Sequence, residues 1–213
     1  MPAVTTMRRE RLRRRVRFIV GFTIVYNVIE AVIAISAGTV AGSAALVGFG
    51  LDSVIETLSA IAVAWQFTRH NPERWEKPAV RAIAIAFFLL AGYLLIDATM
   101  SLVTGERPQD SPWGIGIALL SLLIMPVLAW VETHTGRELG SASVQADAKQ
   151  LLLCTYLSGA ALAGLLANSL LGLWWADPVA AVVIAALAVR EGLEAWRSGE
   201  LESSVTVLGA LDD

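Results

Sequence analysis

The 213-residue chain is 56% hydrophobic and only 16% charged, with a formal net charge of −3. A soluble domain carries about 25% charged residues, so the composition excludes an ordinary water-exposed surface and points to a membrane protein. The single cysteine, Cys154, excludes an intrachain disulfide and a secreted disulfide framework.

The chain opens on a basic segment, residues 1–17, in which Arg8, Arg9, Arg11, Arg13, Arg14, Arg15 and Arg17 are crowded together. Six apolar stretches follow, at 18–37, 44–67, 79–102, 113–131, 144–171 and 178–189. A helical span needs about 20 apolar residues. The first four fit, the fifth is long and begins with polar residues, and the sixth reaches that length only with its flanks. Leu and Ala dominate, which favours helices over a β-barrel. The first stretch is too long for a signal-peptide core and contains Glu30, so it is read as a helix that stays in place.

Punctuation between the stretches agrees with six helices. Ser43 is placed to cap the second helix after a glycine turn at 38–42. Ser111 with Pro112, and Asp177 with Pro178, read as N-cap and first-turn proline pairs for the fourth and sixth helices. Gly105 and Gly199 read as stops for the third and sixth.

Arg and Lys set the orientation. With the N-terminus inside, the inner segments hold the Arg cluster, Arg69, Arg74, Lys77, Arg81, Arg137 and Arg197, while the outer loops hold Arg107 alone. Trp65, Trp130 and Trp196 then fall at inner ends, and Trp113, Trp174 and Trp175 at outer ends, as an aromatic belt requires. The expectation is an all-α membrane protein with both termini cytoplasmic, in the cell (inner) membrane. Its units are the basic segment 1–17, a six-helix domain over 18–196 and a short tail over 197–213.

Ionisable residues inside hydrocarbon cost roughly 2.5 to 3.5 kcal/mol each on insertion scales and persist where they pair or bind. Asp52 and Glu56 share one face of the second helix, a turn apart, and no Lys or Arg is expected at their depth. Two acids so placed need a proton or a cation between them; the bland alternative is a protonated pair bonded to neighbouring helices. The first helix adds Thr23, Asn27 and Glu30 as a polar stripe, or a lone interhelical hydrogen bond. The fifth adds Asp147, Gln150 and Cys154 on one face, although a lone buried cysteine is by default a small hydrophobe. Lys149 points the other way and is expected to reach the headgroups. Asp97 lies near an interface, Asp177 is explained as a cap, and Arg190 with Glu191 and Glu194 reads as a local ion pair.

Carboxylates and one thiol at matching depth make a site for a divalent cation. Mixed oxygen and sulfur donors suit zinc, and also iron, cobalt, cadmium or manganese, better than magnesium or calcium. Enzyme readings fail: His70 and His134 are expected in loops, and no metalloprotease, nucleophile-elbow, phosphate-loop or dinucleotide motif is present. The Arg cluster beside a span reads as topology or anionic-lipid contact rather than nucleic-acid binding.

The residues also carry a resemblance. Tyr-Asn-Val-Ile-Glu at 26–30, Ala-Gly-Ser-Ala-Ala-Leu at 41–46 and Gly-Leu-Asp-Ser-Val-Ile-Glu at 50–56 are similar to the first two helices of the cation diffusion facilitator family. Ala-Asp-Ala at 146–148 and Trp-Trp-Ala-Asp-Pro at 174–178 resemble its fifth and sixth. The resemblance implies a homodimeric exporter of divalent metal, usually zinc, in exchange for protons. It implies a bundle of helices one, two, four and five around the metal, with three and six paired beside it. In the family, two acids on helix two meet a histidine and an aspartate on helix five. Asp52 and Glu56 match the first pair, whereas the second pair is Gln150 and Cys154 here, leaving Glu30 and Asp147 as the acids to complete the site. The family's cytoplasmic domain after helix six has no counterpart, so the chain resembles a short, divergent branch. The second functional reading is a non-transporting membrane subunit that keeps the fold for assembly.

Overall fold

A computed structural model describes residues 6–67, 73–139 and 142–198. It contains six helices: α1 (Thr6–Ala41), α2 (Ala44–Phe67), α3 (Glu73–Thr104), α4 (Pro112–Leu139), α5 (Ala142–Leu171) and α6 (Ala176–Ser198). No strand occurs among the described residues. At about 1.5 Å rise per residue, a helix must hold roughly 20 residues to cross a 30 Å hydrocarbon core. Even α6 has 23, because both flanks of the short sixth stretch join it. By length and composition α1, α3, α4 and α5 are each apolar enough to cross a membrane. Asp52 and Glu56 stand inside the otherwise apolar α2, and Arg190, Glu191 and Glu194 interrupt α6. The protein is an integral membrane protein.

The helices pack as three principal pairs, α1 with α2, α3 with α6 and α4 with α5. Contacts of α1 with α4 and of α2 with α5 close a four-helix ring, and the α3–α6 pair leans on it through α2 and α5. Phe49, Leu46, Leu94, Met125 and Ile184 are fully buried between helices, while Phe18, Val25, Val32, Leu89 and Ile96 point outward. An apolar exterior of this kind is the surface that lipid tails cover. Small residues set the spacing within the core. A Cβ on Gly164 would lie 2.8 Å from the Cβ of Ala180, so α5 and α6 meet there backbone to backbone. Trp113, Trp130, Trp175 and Trp196 are exposed near helix ends, as the belt predicts.

The basic segment is helical from Thr6 onward, because α1 runs through it. Arg, Leu and Glu are good helix formers and no Pro or Gly interrupts them before Gly21. Leu12 and Val16 are buried, and Arg8 pairs with Glu138 of α4 at 3.1 Å. Two expectations are corrected. α4 outlasts its apolar stretch, so His134 is helical rather than in a loop. It stacks on Trp130 and meets Glu138 at 3.2 Å. Asp177 also does not cap its own helix, which begins one residue earlier. Its carboxylate accepts the Ser43 hydroxyl at 2.5 Å and the Ala45 N–H at 3.5 Å, both at the start of α2.

Other punctuation agrees. Ser43 caps α2, accepting the Leu46 N–H at 3.1 Å, and Ser111 caps α4, accepting the Gly114 N–H at 3.2 Å. Gly42, at φ 65°, closes α1: the Ser43 N–H returns to the Gly38 carbonyl and the Gly42 N–H to that of Thr39. Gly105 ends α3 at φ 71°. Arg190 pairs with Glu194 at 2.9 Å, as expected one turn apart. Gly199, Arg69 and His70, and the side chains of Trp65, Arg74, Trp75, Lys77 and Lys149, lie outside the described residues.

Candidate metal centre

The centre is made where α2 faces α5 inside the ring. A four-residue step is just over one helical turn, so Asp52 and Glu56 emerge from the same side of α2. The same step places Gln150 and Cys154 together on α5. Asp52 and Cys154 are buried and Glu56 is half-buried. One ligand atom from each of Asp52, Glu56 and Cys154 lies within 4.8 Å of the other two. Around an ion with oxygen at about 2.1 Å and sulfur at about 2.3 Å, tetrahedral ligand atoms stand roughly 3.4 to 3.7 Å apart.

Glu56 is the hub. Its Oε1 accepts from Gln150 Nε2 at 2.9 Å and from Cys154 Sγ at 2.7 Å, while its Oε2 accepts from Asn27 Nδ2 at 2.7 Å. The carboxylate is therefore held by α1 on one side and α5 on the other. The sequence pairs Cys154 with Asp52 by depth, and the structure also ties it to Glu56.

Glu30 is fully buried but stands outside this trio. Its Oε1 accepts the Ser53 hydroxyl at 2.6 Å and its Oε2 accepts the Ser121 hydroxyl. Ser121 is in turn 2.6 Å from the Tyr26 hydroxyl. A buried carboxyl is thus satisfied by hydroxyls from α2 and α4. Asp147 lies on α5 one turn before Gln150, and its side chain is outside the described residues.

Several buried residues escape the sequence reading. Ser53 and Ser121 are single hydroxyls in apolar runs and carry no periodic signal of their own. Tyr26 enters only as part of a motif. Glu132 is fully buried in α4, beside the equally buried Thr135, just past the point where the fourth apolar stretch seems to end. Its type and position one residue beyond Val131 were the available signal.

Chemically, the centre offers two carboxylates and a sulfur to a cation, with amide groups from two more positions around it. Oxygen and sulfur together favour a borderline-soft divalent ion. Comparison with known proteins identifies the family. The cation efflux transmembrane domain matches residues 20–199. The magnetosome protein MamB of Magnetospira sp. (strain QH-2) is 24% identical over 167 residues, covering 74% of this chain and 57% of that protein. An uncharacterized transporter of Synechocystis sp., sll1263, is 25% identical over 162 residues, covering 70% and 51%. Transmembrane protein 163 of Xenopus laevis is 24% identical over 139 residues, covering 63% and 49%. The chain thus spans about half the length of these relatives. With the family domain covering most of its residues, the chain belongs to the cation efflux, or cation diffusion facilitator, family.

Proposed function

We propose that the chain carries a divalent metal cation across the membrane through the centre formed by Asp52, Glu56 and Cys154. The observation that carries this reading is the convergence of those three ligand atoms within 4.8 Å, inside a ring of membrane-spanning length. Zinc is the ion the donor set fits best, with iron, cobalt, cadmium and manganese as competitors. Gln150, which bonds Glu56, and Asp147 are the further residues assigned to the site, while Glu30 stands beside it on the hydroxyls of Ser53 and Ser121.

The mechanism follows from the low dielectric. Two acids and a thiol crowded in hydrocarbon are neutralised either by protons or by a cation. Ligands bind deprotonated, so a cation displaces protons and protons displace a cation. A site that holds one or the other, opened alternately to each side, exchanges them. Metal leaves the cytoplasm and protons enter. The centre is a transport site and not an enzyme's, and the cation is its cargo rather than a cofactor. Both termini are assigned to the cytoplasmic face of the cell membrane, following the positive-inside asymmetry. The six-helix domain 18–196, between the basic start and the tail 197–213, works as a homodimer. Nucleic acid is no partner, and the bilayer is.

Purified protein in sealed vesicles tests the reading. Zinc loaded on one side should move only when the protein is present, and a pH gradient should accelerate it. A protein that binds no divalent ion and moves none is the assembly subunit of the second reading.

A further inference from the structure

We infer that Asn27 is a fourth ligand of the transported cation, supplied by α1 through a rotation of its side-chain amide. This rests on the proposed transport site and extends it to a residue outside the Asp52, Glu56 and Cys154 trio.

The argument starts from the two ends of a carboxamide. The nitrogen end only donates and the oxygen end only accepts. Asn27 Nδ2 lies 2.7 Å from Glu56 Oε2, and a carboxylate oxygen takes a donor, so the nitrogen end faces Glu56. The oxygen end is then accounted for separately. Asn27 is 4% exposed, and its Oδ1 is buried with no hydrogen-bond partner among the described residues. A buried carbonyl oxygen without a donor carries its full desolvation cost. The same side chain is therefore half engaged with the centre and half unsatisfied. Gln150 bonds the other oxygen of Glu56, but its carbonyl oxygen is not left in this way.

A cation at Glu56 would give Asn27 Oδ1 a partner. The last torsion of asparagine is broad and nearly two-fold, so a half-turn exchanges oxygen and nitrogen with little strain. The carbonyl oxygen then occupies the place of the nitrogen, at hydrogen-bond range of Glu56 Oε2. Two oxygens share a tetrahedral ion at roughly 3.4 Å from one another with bonds of about 2.1 Å, so the pair opens from hydrogen-bond range as the ion enters. Two carboxylates, one thiolate and this neutral oxygen make four donors, the number a tetrahedral ion takes. With its nitrogen end toward Glu56 the amide steadies the carboxylate; turned, it faces the ion. The helix-one contribution thus changes partners with each cycle, and its neutral oxygen adds a ligand without adding charge.

Cobalt(II) is the probe, because its visible absorption reports coordination number and its near-ultraviolet absorption reports bonds to sulfur. Wild-type protein should give a four-coordinate spectrum with one sulfur-to-cobalt band. Asn27→Leu should weaken cobalt binding at least about tenfold and change the visible spectrum. Asn27→Cys should strengthen the sulfur band, because a group that touches the ion adds a second cobalt–sulfur bond when it becomes a thiolate. A residue that only steadies Glu56 adds none. An unchanged sulfur band in Asn27→Cys, in protein that still binds cobalt, overturns the assignment. So does an Asn27→Leu protein with wild-type affinity and spectrum. Wild-type protein that binds no cobalt overturns the transport site itself, and this ligand with it.

Discussion

The hydroxyl of Ser43, at the head of α2, donates to the Asp177 carboxylate, at the head of α6, over 2.5 Å. The same hydroxyl oxygen accepts the Leu46 N–H, and the second Asp177 oxygen accepts the Ala45 N–H. One helix start is thus capped by its own serine and by an acid from a helix more than a hundred residues away. An anion is favoured there by the α2 dipole. Ser43→Ala should cost about 1 kcal/mol, the usual worth of an N-cap. Asp177→Ala should cost about 1 to 3 kcal/mol, because it strands a buried hydroxyl and a backbone N–H. Since both act on one network, the double variant should lose less than the two losses added. Thermal unfolding in detergent reads this, and strictly additive losses would show that the contact carries no coupling.

Asp52→Ala should stop metal-dependent flux in vesicles while leaving the bundle folded. Asp52 is buried within 4.8 Å of Glu56 and Cys154, so its removal deletes a donor and one buried acid together. Losing the acid also removes a desolvation cost, and stability without metal should therefore not fall. Circular dichroism and size exclusion establish the fold alongside the flux assay. Full transport by this variant would sink the assignment of the centre.

The fold was legible because membrane helices announce themselves by length and composition, and because Ser43, Ser111 and Gly105 cap where short polar or flexible residues should. The Asp52, Glu56 and Cys154 trio was legible through helical spacing, which puts residues four apart on one face, and through depth, which aligns two antiparallel helices. What stayed hidden depends on the rotation of one helix against another. Glu30 and Asn27 are nearly one turn apart on α1, yet one is enclosed by serines of α2 and α4 and the other reaches Glu56. Asp177 fits the sequence pattern of a local cap and instead caps α2, because only the folded bundle brings the two helix starts together. Glu132 was missed because an apolar window ends at the first charge, whether or not the helix does.

Cys154→Ser should change the ion more than the fold. Serine is smaller and offers a hard oxygen, so the donor set becomes all oxygen around Asp52 and Glu56. Cadmium and zinc should lose at least about tenfold in affinity, while manganese, which suits oxygen ligands, should lose less. Competition between cadmium and manganese on purified protein measures the ratio. A ratio unchanged by the substitution would mean that the sulfur does not touch the ion.

Glu30→Gln should leave metal affinity within a few-fold of wild type. A glutamine can accept one serine hydroxyl and donate to the oxygen of the other, so Ser53 and Ser121 both keep partners. Loss of metal binding in this variant, with the fold intact, would show that Glu30 leaves its serines and joins the ion.

Metal binding should release at least one proton per ion, and Cys154 shows why. Its Sγ donates to Glu56 Oε1 at 2.7 Å, a contact in which the thiol holds its hydrogen. A thiol that ligates a divalent ion does so as thiolate. Its proton must therefore leave when the ion arrives, together with any proton that Asp52 and Glu56 share. The sign follows from mass action. Each proton released lowers apparent affinity about tenfold for every unit that pH falls, over the range where the free site is protonated. Affinity should accordingly rise from mildly acidic to mildly basic pH, and an acidic compartment should strip the ion from the site. Isothermal titration in buffers of different ionisation enthalpy counts the protons directly. In Cys154→Ser the count should fall by one, because a serine hydroxyl can ligate without giving up its proton. A count of zero in the wild-type protein, with affinity flat across that range, would remove proton exchange from the mechanism even if the metal still bound.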